Sequence, residues 1–329
     1  MTLIDVLRAR ARIAPHLRRT PLVGCTWLSD LASARVSLKV ESLQRSNSFK
    51  SRGAFNAVMA RIERGLTAAT PIVTASAGNH GRGLAEAAST FHLPLIVYAP
   101  ASAARTKVEA MRRLGAELRM DSRDYDEAER LAKAFARDSG GVFISPYNDA
   151  DVIAGAATIA LEIFEEAPET HVVLAPIGGG GLISGLGVAA KAVAPSCAVL
   201  GVEAEASSPF RDSMRAGKLI TIVPRQTLAD GLGGNPDPET ITFDFIRKFV
   251  DRIVTVSEAD LASAIVGLVE FDHLIAEGAG AAATAAIVGR KVELSDRNVV
   301  VILSGSNIDR ERLAALLASP APAPPSGGS

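Results

Sequence analysis

From about residue 36 onward, short apolar runs alternate with longer stretches in which apolar residues recur every three or four positions. "RVSLKVES" gives way to "RGAFNAVMARIERG", "PIVTA" to "GRGLAEAASTF", and "PLIVYAP" to "RTKVEAMRRLG". Further on, "HVVLAPI" precedes "LISGLGVAAKAVA", "CAVLGVEAE" precedes "PFRDSMRAG", and "NVVVILSG" precedes "RERLAALLA". Short apolar runs bounded by turn residues are strand-like, and the 3.6-residue period marks amphipathic helices. Their regular alternation predicts βαβ units, an α/β fold with parallel sheets covered by helices on both faces. So many units in 329 residues predict two α/β lobes. The ending "PAPAPPSGGS" has no core residues and is predicted to be disordered.

The stretch from Val172 to Ala190 carries no charge, which raises the question of a membrane span. Pro176 and four consecutive glycines at its centre would leave backbone groups unsatisfied in lipid, so a buried strand followed by a buried helix is predicted instead. The 35 basic and 36 acidic residues nearly cancel and form no long run of one sign. That balance offers no footprint for nucleic acid or an anionic membrane. Cys25 and Cys197 lie far apart without metal spacing, so no disulfide framework is expected and a reducing cytoplasm is the simpler setting. The N-terminal "MTLIDVLRARARIAPHLRRT" is charged and amphipathic, unlike a secretory leader.

Ligands of open α/β sheets bind at the carboxyl ends of strands, so the strand-to-helix turns carry the chemistry. Gly178, Gly179, Gly180 and Gly181 join an apolar strand to an apolar helix. Backbone without side chains, opening a helix, suits a phosphate; a tight structural turn is the alternative. The run is neither GxGxxG nor a P-loop, so neither a dinucleotide nor a nucleoside triphosphate is indicated. Ser76, Ala77, Gly78, Asn79 and His80 form a polar turn that suits a carboxylate, or else a helix cap. Ser304 ends a continuous apolar strand, where a hydroxyl meets a ligand or caps the next helix. Lys50 closes the polar run "SNS" and Phe49, just before a helical pattern. A phosphate cradle, a carboxylate loop, a hydroxyl and a lysine are the parts needed to hold pyridoxal phosphate and an amino acid.

"SFKSRGA", "SAGNH", "GGGGLISG" and "LSGSN", in that order, resemble the motifs of the fold type II pyridoxal-phosphate enzymes, and within them the threonine/serine dehydratase group. The N-terminal "ARARIAPHLRRTPL" and the segment "EGAGAAATAA" resemble it too, so the likeness runs from about residue 5 to 315. It implies two parallel-sheet lobes of the tryptophan synthase β type with the cofactor between them. Residues 1–50 and 150–319 would form the large lobe and 51–149 the small one, with 320–329 a disordered tail. Lys50 would be the catalytic lysine and carry the cofactor as a Schiff base, with Phe49 beside its ring. Asn79 would meet the phenolic oxygen, Gly178 to Gly181 the phosphate, and Ser304 the pyridine nitrogen. Ser76 to His80 would hold the substrate carboxylate.

The implied reaction is the β-elimination of a β-hydroxy L-amino acid such as threonine or serine, giving a 2-oxoacid and ammonia. Alternatives are a larger or acidic substrate such as phenylserine or hydroxyaspartate, serine racemisation, and β-replacement. Racemisation is disfavoured because Ala77 stands where the eukaryotic racemases carry a second acid/base serine. The usual Gln-Gly of one family motif is Ala156-Ala157 here, which with Tyr147 as a wall would leave a roomier pocket; Arg82 either brings a cation near the carboxylate loop or points to solvent. Of the two carboxylates that bind a divalent ion in the racemases, Glu203 is matched but Pro209 replaces the second. No metal ligands are therefore assigned, while a monovalent ion on backbone carbonyls stays open. The likeness also implies a homodimer or homotetramer. Because it stops near residue 315, the regulatory domain of the biosynthetic dehydratases is not expected.

Overall fold

The computed structural model describes residues 1–103 and 105–318. The Pro-rich ending, expected to be disordered, lies outside the described residues beyond residue 318. In chain order the strands are β1 (Leu22–Gly24), β2 (Arg35–Val40), β3 (Ile72–Ala75), β4 (Leu95–Pro100), β5 (Glu117–Ser122), β6 (Val142–Phe143), β7 (Val172–Pro176), β8 (Ala198–Ala204), β9 (Arg252–Val256) and β10 (Asn298–Leu303). Helices α1 (Leu3–Ile13) and α2 (Thr26–Ala32) flank β1. Then come α3 (Lys50–Glu63), α4 (Asn79–Thr90), α5 (Arg105–Arg113), α6 (Tyr125–Ser139) and α7 (Ala150–Glu166). The remainder are α8 (Gly181–Val193), α9 (Pro209–Ala216), α10 (Thr242–Phe249), α11 (Glu258–Asp272), α12 (Gly278–Val288) and α13 (Arg310–Ala318).

The strands form two sheets, one ordered β1-β2-β10-β7-β8-β9 and the other β5-β4-β3-β6. All neighbours run parallel except the edge strand β1, which pairs antiparallel with β2. That exception follows from the chain itself, since seven-residue α2 is too short for a parallel crossover of the usual length. Both sheets are buried on both faces, as the unbroken apolar runs predict. In β10, Val299, Val301 and Leu303 face one core while Val300 and Ile302 face another. In the smaller sheet Ile72 and Val97 share one core, whereas Val73, Ala75 and Tyr98 share the opposite one. The uncharged stretch from Val172 is β7 followed by α8, both buried. Cys25 and Cys197 are free thiols, each buried in a different core.

The chain enters the smaller sheet's unit through α3 and leaves it through α7, and these helices cross in contact. A Cβ on Gly53 would meet Val152, and one on Gly155 would meet the Arg52 carbonyl, so glycine is what permits the crossing. Beneath it lies a buried ionic cluster. Arg52 donates to Glu41 at 2.8 Å through Nε and Nη2, and to Glu162 at 2.6 and 2.9 Å through Nη1 and Nη2. Lys39 adds a 2.7 Å pair with Glu162 and donates to the Thr20 carbonyl at 2.6 Å. Two cations thus face two carboxylates, and the paired charges are satisfied despite burial.

Candidate active site

Four chain segments converge at the carboxyl ends of β2, β3, β7 and β10, so both sheets contribute. The segment after β2 ends in a tight turn, with Ser46 and Asn47 both at φ +56°. Asparagine tolerates that left-handed conformation, and Ser46 is held there by its neighbours: its Oγ lies 2.6 Å from Ser51 Oγ. The turn is tied to the end of β10, because Phe49 N donates to the Ser304 carbonyl at 3.0 Å and Ser306 N to the Asn47 carbonyl at 3.0 Å. Lys50 therefore opens α3 at the junction of the two sheets.

The Lys50 amine donates to the Pro146 carbonyl at 2.9 Å and lies 5.2 Å from the Phe49 ring centroid. Burial lowers its pKa to about 8, against the opposing charge of Glu277. His80 is buried, its Nε2 3.3 Å from the Ile144 carbonyl, while Nδ1 has no partner. Burial, followed by the nearby Lys50, pushes its pKa down to about 3, so the ring is neutral. Ser76 Oγ accepts from Gly78 N at 3.2 Å and Gly81 N at 2.9 Å, which makes it the local cap of the turn before α4. Asn79 does not cap; its side chain reaches across to the other sheet's loops.

Gly178 to Gly181 lead from β7 into α8, with Gly180 at φ +86°. A Cβ on Gly179 would run into the Tyr147 ring, one on Gly180 into Thr242 and Ile246, and one on Gly181 into Tyr147 backbone. The loop is thus a bare-backbone cradle clamped by Tyr147, whose Oη accepts from Asp237 N at 2.9 Å. Tyr147 follows Pro146, the residue whose carbonyl receives Lys50, so the lysine and the glycine loop are joined through this dipeptide. Ser304 is buried at the end of β10, and its hydroxyl donates to the Ala279 carbonyl at 3.4 Å. A lowered amine, a glycine cradle, a free Asn79 N–H and a strand-end hydroxyl fit pyridoxal phosphate.

Sequence reasoning missed Glu277, at the start of α12. It is buried, accepts from Asn79 Nδ2 at 2.5 Å, and fills the space beside Gly305. Burial raises its pKa to about 6, although the Asn79 hydrogen bond works the other way. Only its place in "EGAGAAATAA" hinted at it. Arg82 is not turned to solvent: its Nη1 donates to Asn307 Oδ1 at 2.5 Å, and Asn307 in turn donates to Asn79 of the carboxylate loop at 2.7 Å. Ala156 and Ala157 belong to a core between α7 and α8, where Gly185 abuts Ala157, so their small size serves helix packing and not an open pocket. Glu203 is occupied: its oxygens accept from Phe210 N at 3.0 Å and Arg211 N at 2.8 Å, capping α9, whose first residue is Pro209.

The chain matches the family model of pyridoxal-phosphate dependent enzymes over residues 13–305. The L-threonine ammonia-lyase of Thermotoga maritima is 39% identical over 311 residues, 94% of this chain and 76% of that protein. Among solved structures, the T.th. threonine deaminase is similar with a TM-score of 0.85 and 35% identity, over 94% of this chain and 99% of that one. Maize serine racemase has a TM-score of 0.90 at 30% identity, over 95% of this chain and 96% of its own.

Proposed function

The chain belongs to the pyridoxal-phosphate dependent enzyme family, and from that membership we propose that it converts a β-hydroxy L-amino acid of the threonine or serine kind to a 2-oxoacid and ammonia. The observation that carries this reading is the Lys50 amine, lowered to about 8 and joined through Pro146 and Tyr147 to the glycine cradle. In this reading Lys50 carries the cofactor covalently, Gly178 to Gly181 hold its phosphate, and Phe49, Asn79 and Ser304 fix its ring. When bound, the cofactor supplies the electron sink for the bond broken at the substrate α-carbon.

The remaining work falls to the chain's own groups. The turn from Ser76 to His80 offers backbone N–H groups at the opening of α4, the positive end of that helix, to the substrate carboxylate. Lys50, neutral above about pH 8, takes the α-proton. Neutral His80 holds no charge that would compete for the carboxylate. The β-hydroxyl leaves with a proton as water, and the released enamine adds water to give the 2-oxoacid and ammonia. Ala77 presents a methyl group and cannot return a proton to the α-carbon, so elimination is favoured over racemisation. The two lobes, divided near residues 50 and 150, belong to the same reading.

The test is the near-visible spectrum of the purified protein with pyridoxal phosphate, before and after L-threonine, beside a Lys50→Ala variant. A band that shifts as 2-oxobutanoate forms, and is absent from the variant, supports the reading. A band indifferent to threonine but moved by 3-hydroxyaspartate or 3-phenylserine would transfer the activity to those substrates. No band after adding cofactor would overturn the role of Lys50.

A further inference from the structure

Four side chains behind the proposed cofactor site form a hydrogen-bonded chain that runs in one direction. Arg82 Nη1 donates to Asn307 Oδ1 at 2.5 Å. Asn307 Nδ2 donates to Asn79 Oδ1 at 2.7 Å and to the Ser46 carbonyl at 2.9 Å. Asn79 Nδ2 then donates to Glu277 Oε1 at 2.5 Å. An amide side chain has two ends, and its neighbours decide which end faces which way. A guanidinium can only donate, so it draws the Asn307 oxygen and turns the Asn307 nitrogen toward Asn79. The Ser46 carbonyl, which can only accept, reinforces that choice. Asn79 must then receive through oxygen and donate through nitrogen, and one of its two N–H groups remains after Glu277 is served.

The local backbone is built to bring Arg82 there. Its neighbours Gly81 and Gly83 let the first turn of α4 press against Ser76 and the Lys50 backbone; a Cβ on Gly83 would stand 3.2 Å from Ser51 N. Asn79 and Arg82, three positions apart, share one face of the helix. Arg82 is half-buried and aimed at the loop after β10.

We propose that Arg82 is a positioning residue which, through Asn307, orients Asn79 so that an amide N–H faces the phenolic oxygen of the cofactor. This rests on the functional reading above. The experiment titrates apoenzyme with pyridoxal phosphate, following the visible band and cofactor fluorescence, for wild type, Arg82→Met, Arg82→Lys and Asn307→Asp. Arg82→Met should bind the cofactor roughly tenfold more weakly and shift the band, because Asn307 is then oriented by the Ser46 carbonyl alone and holds Asn79 less firmly. Arg82→Lys keeps a donor that cannot accept and should restore both. Asn307→Asp is the discriminating variant. Its carboxylate keeps the Arg82 pair but can donate neither to Asn79 nor to the Ser46 carbonyl, so orientation predicts the same weakened affinity and the same band shift as Arg82→Met, whereas a merely structural loss weakens binding and leaves the band in place. Wild-type affinity and band in Arg82→Met or Asn307→Asp would overturn the proposal while leaving the functional reading intact. A wild-type protein that takes up no cofactor would overturn both.

Discussion

Lys50 and Arg52 stand two residues apart, and the fold treats their charges in opposite ways. Burial costs Lys50 affinity for its proton even though the amine donates to a carbonyl; Arg52 meets Glu41 and Glu162 and, although burial opposes it, is held above its ordinary pKa by their charges and hydrogen bonds. Arg52→Met should cost roughly 3–5 kcal/mol of stability, since two carboxylates would stay buried with only Lys39 to balance them. Urea denaturation would measure this, and a loss below about 1 kcal/mol would contradict the cluster's role. Lys50 was legible because a lysine after a short polar turn and before a helix is locally odd. Arg52 was legible as a letter in a motif but not as the centre of a cluster, because Glu162 lies 110 residues away. Glu277, 198 residues from Asn79, was visible only as the first letter of "EGAGAAATAA" and not as the partner of Asn79.

At the scale of elements, turns were readable and their clamps were not. The glycine run between β7 and α8 was plain, but the Tyr147 ring that requires glycine at 179 comes from a distant segment. Gly179→Ala must displace that ring, an overpacking worth roughly 1–3 kcal/mol, and should weaken cofactor binding accordingly. Adding Tyr147→Ala should cost less than the two single changes summed, and strict additivity in the titration would argue against the clamp. Glu203 shows the same limit: its match to a metal ligand was visible, while its capping of α9 was not. Burial raises its carboxyl to about 7 from 4.5, although the N–H groups of Arg211 and Phe210 oppose this. The folded protein therefore keeps a proton there that the unfolded chain releases between about pH 4.5 and 7. The stability this contributes is present below 4.5 and is lost as pH rises through 7, by up to about 1.4 kcal/mol per pH unit. Melting temperatures at pH 5 and 7 should show a smaller decline for Glu203→Gln than for wild type.

Across the whole molecule, the α/β class and the parallel sheets followed from strand–helix alternation alone. The antiparallel edge β1 did not, since three residues make too short a pattern. Nor did the contacts that join the smaller sheet's unit to the rest. Lys107 pairs with Asp230 at 3.3 Å and Lys133 with Asp237, each from a helix beside the smaller sheet to the loop between α9 and α10. Such partly exposed pairs contribute about 0.2–1 kcal/mol each. Neutralising both with Asp230→Asn and Asp237→Asn should therefore move the global unfolding midpoint little. Hydrogen exchange in residues 224–240 should still quicken, and unchanged exchange there would show that the pairs do not hold the loop.

The order of strands also sets a timetable for biosynthesis. Within the smaller sheet every pairing lies between residues 72 and 143, so that sheet can close as soon as its own chain has left the ribosome. Strand β2 has no such freedom: Arg35 pairs with Asn298 and Val40 with Leu303, and until β10 arrives only the three residues of β1 are at hand. At 5–20 residues per second the wait is on the order of 10–50 s, with one edge of β2 open to other chains. Lys50 and Ser304 are brought together by that same late pairing. The proposed site is thus assembled only once β10 has emerged, with a half-built sheet to shield until then.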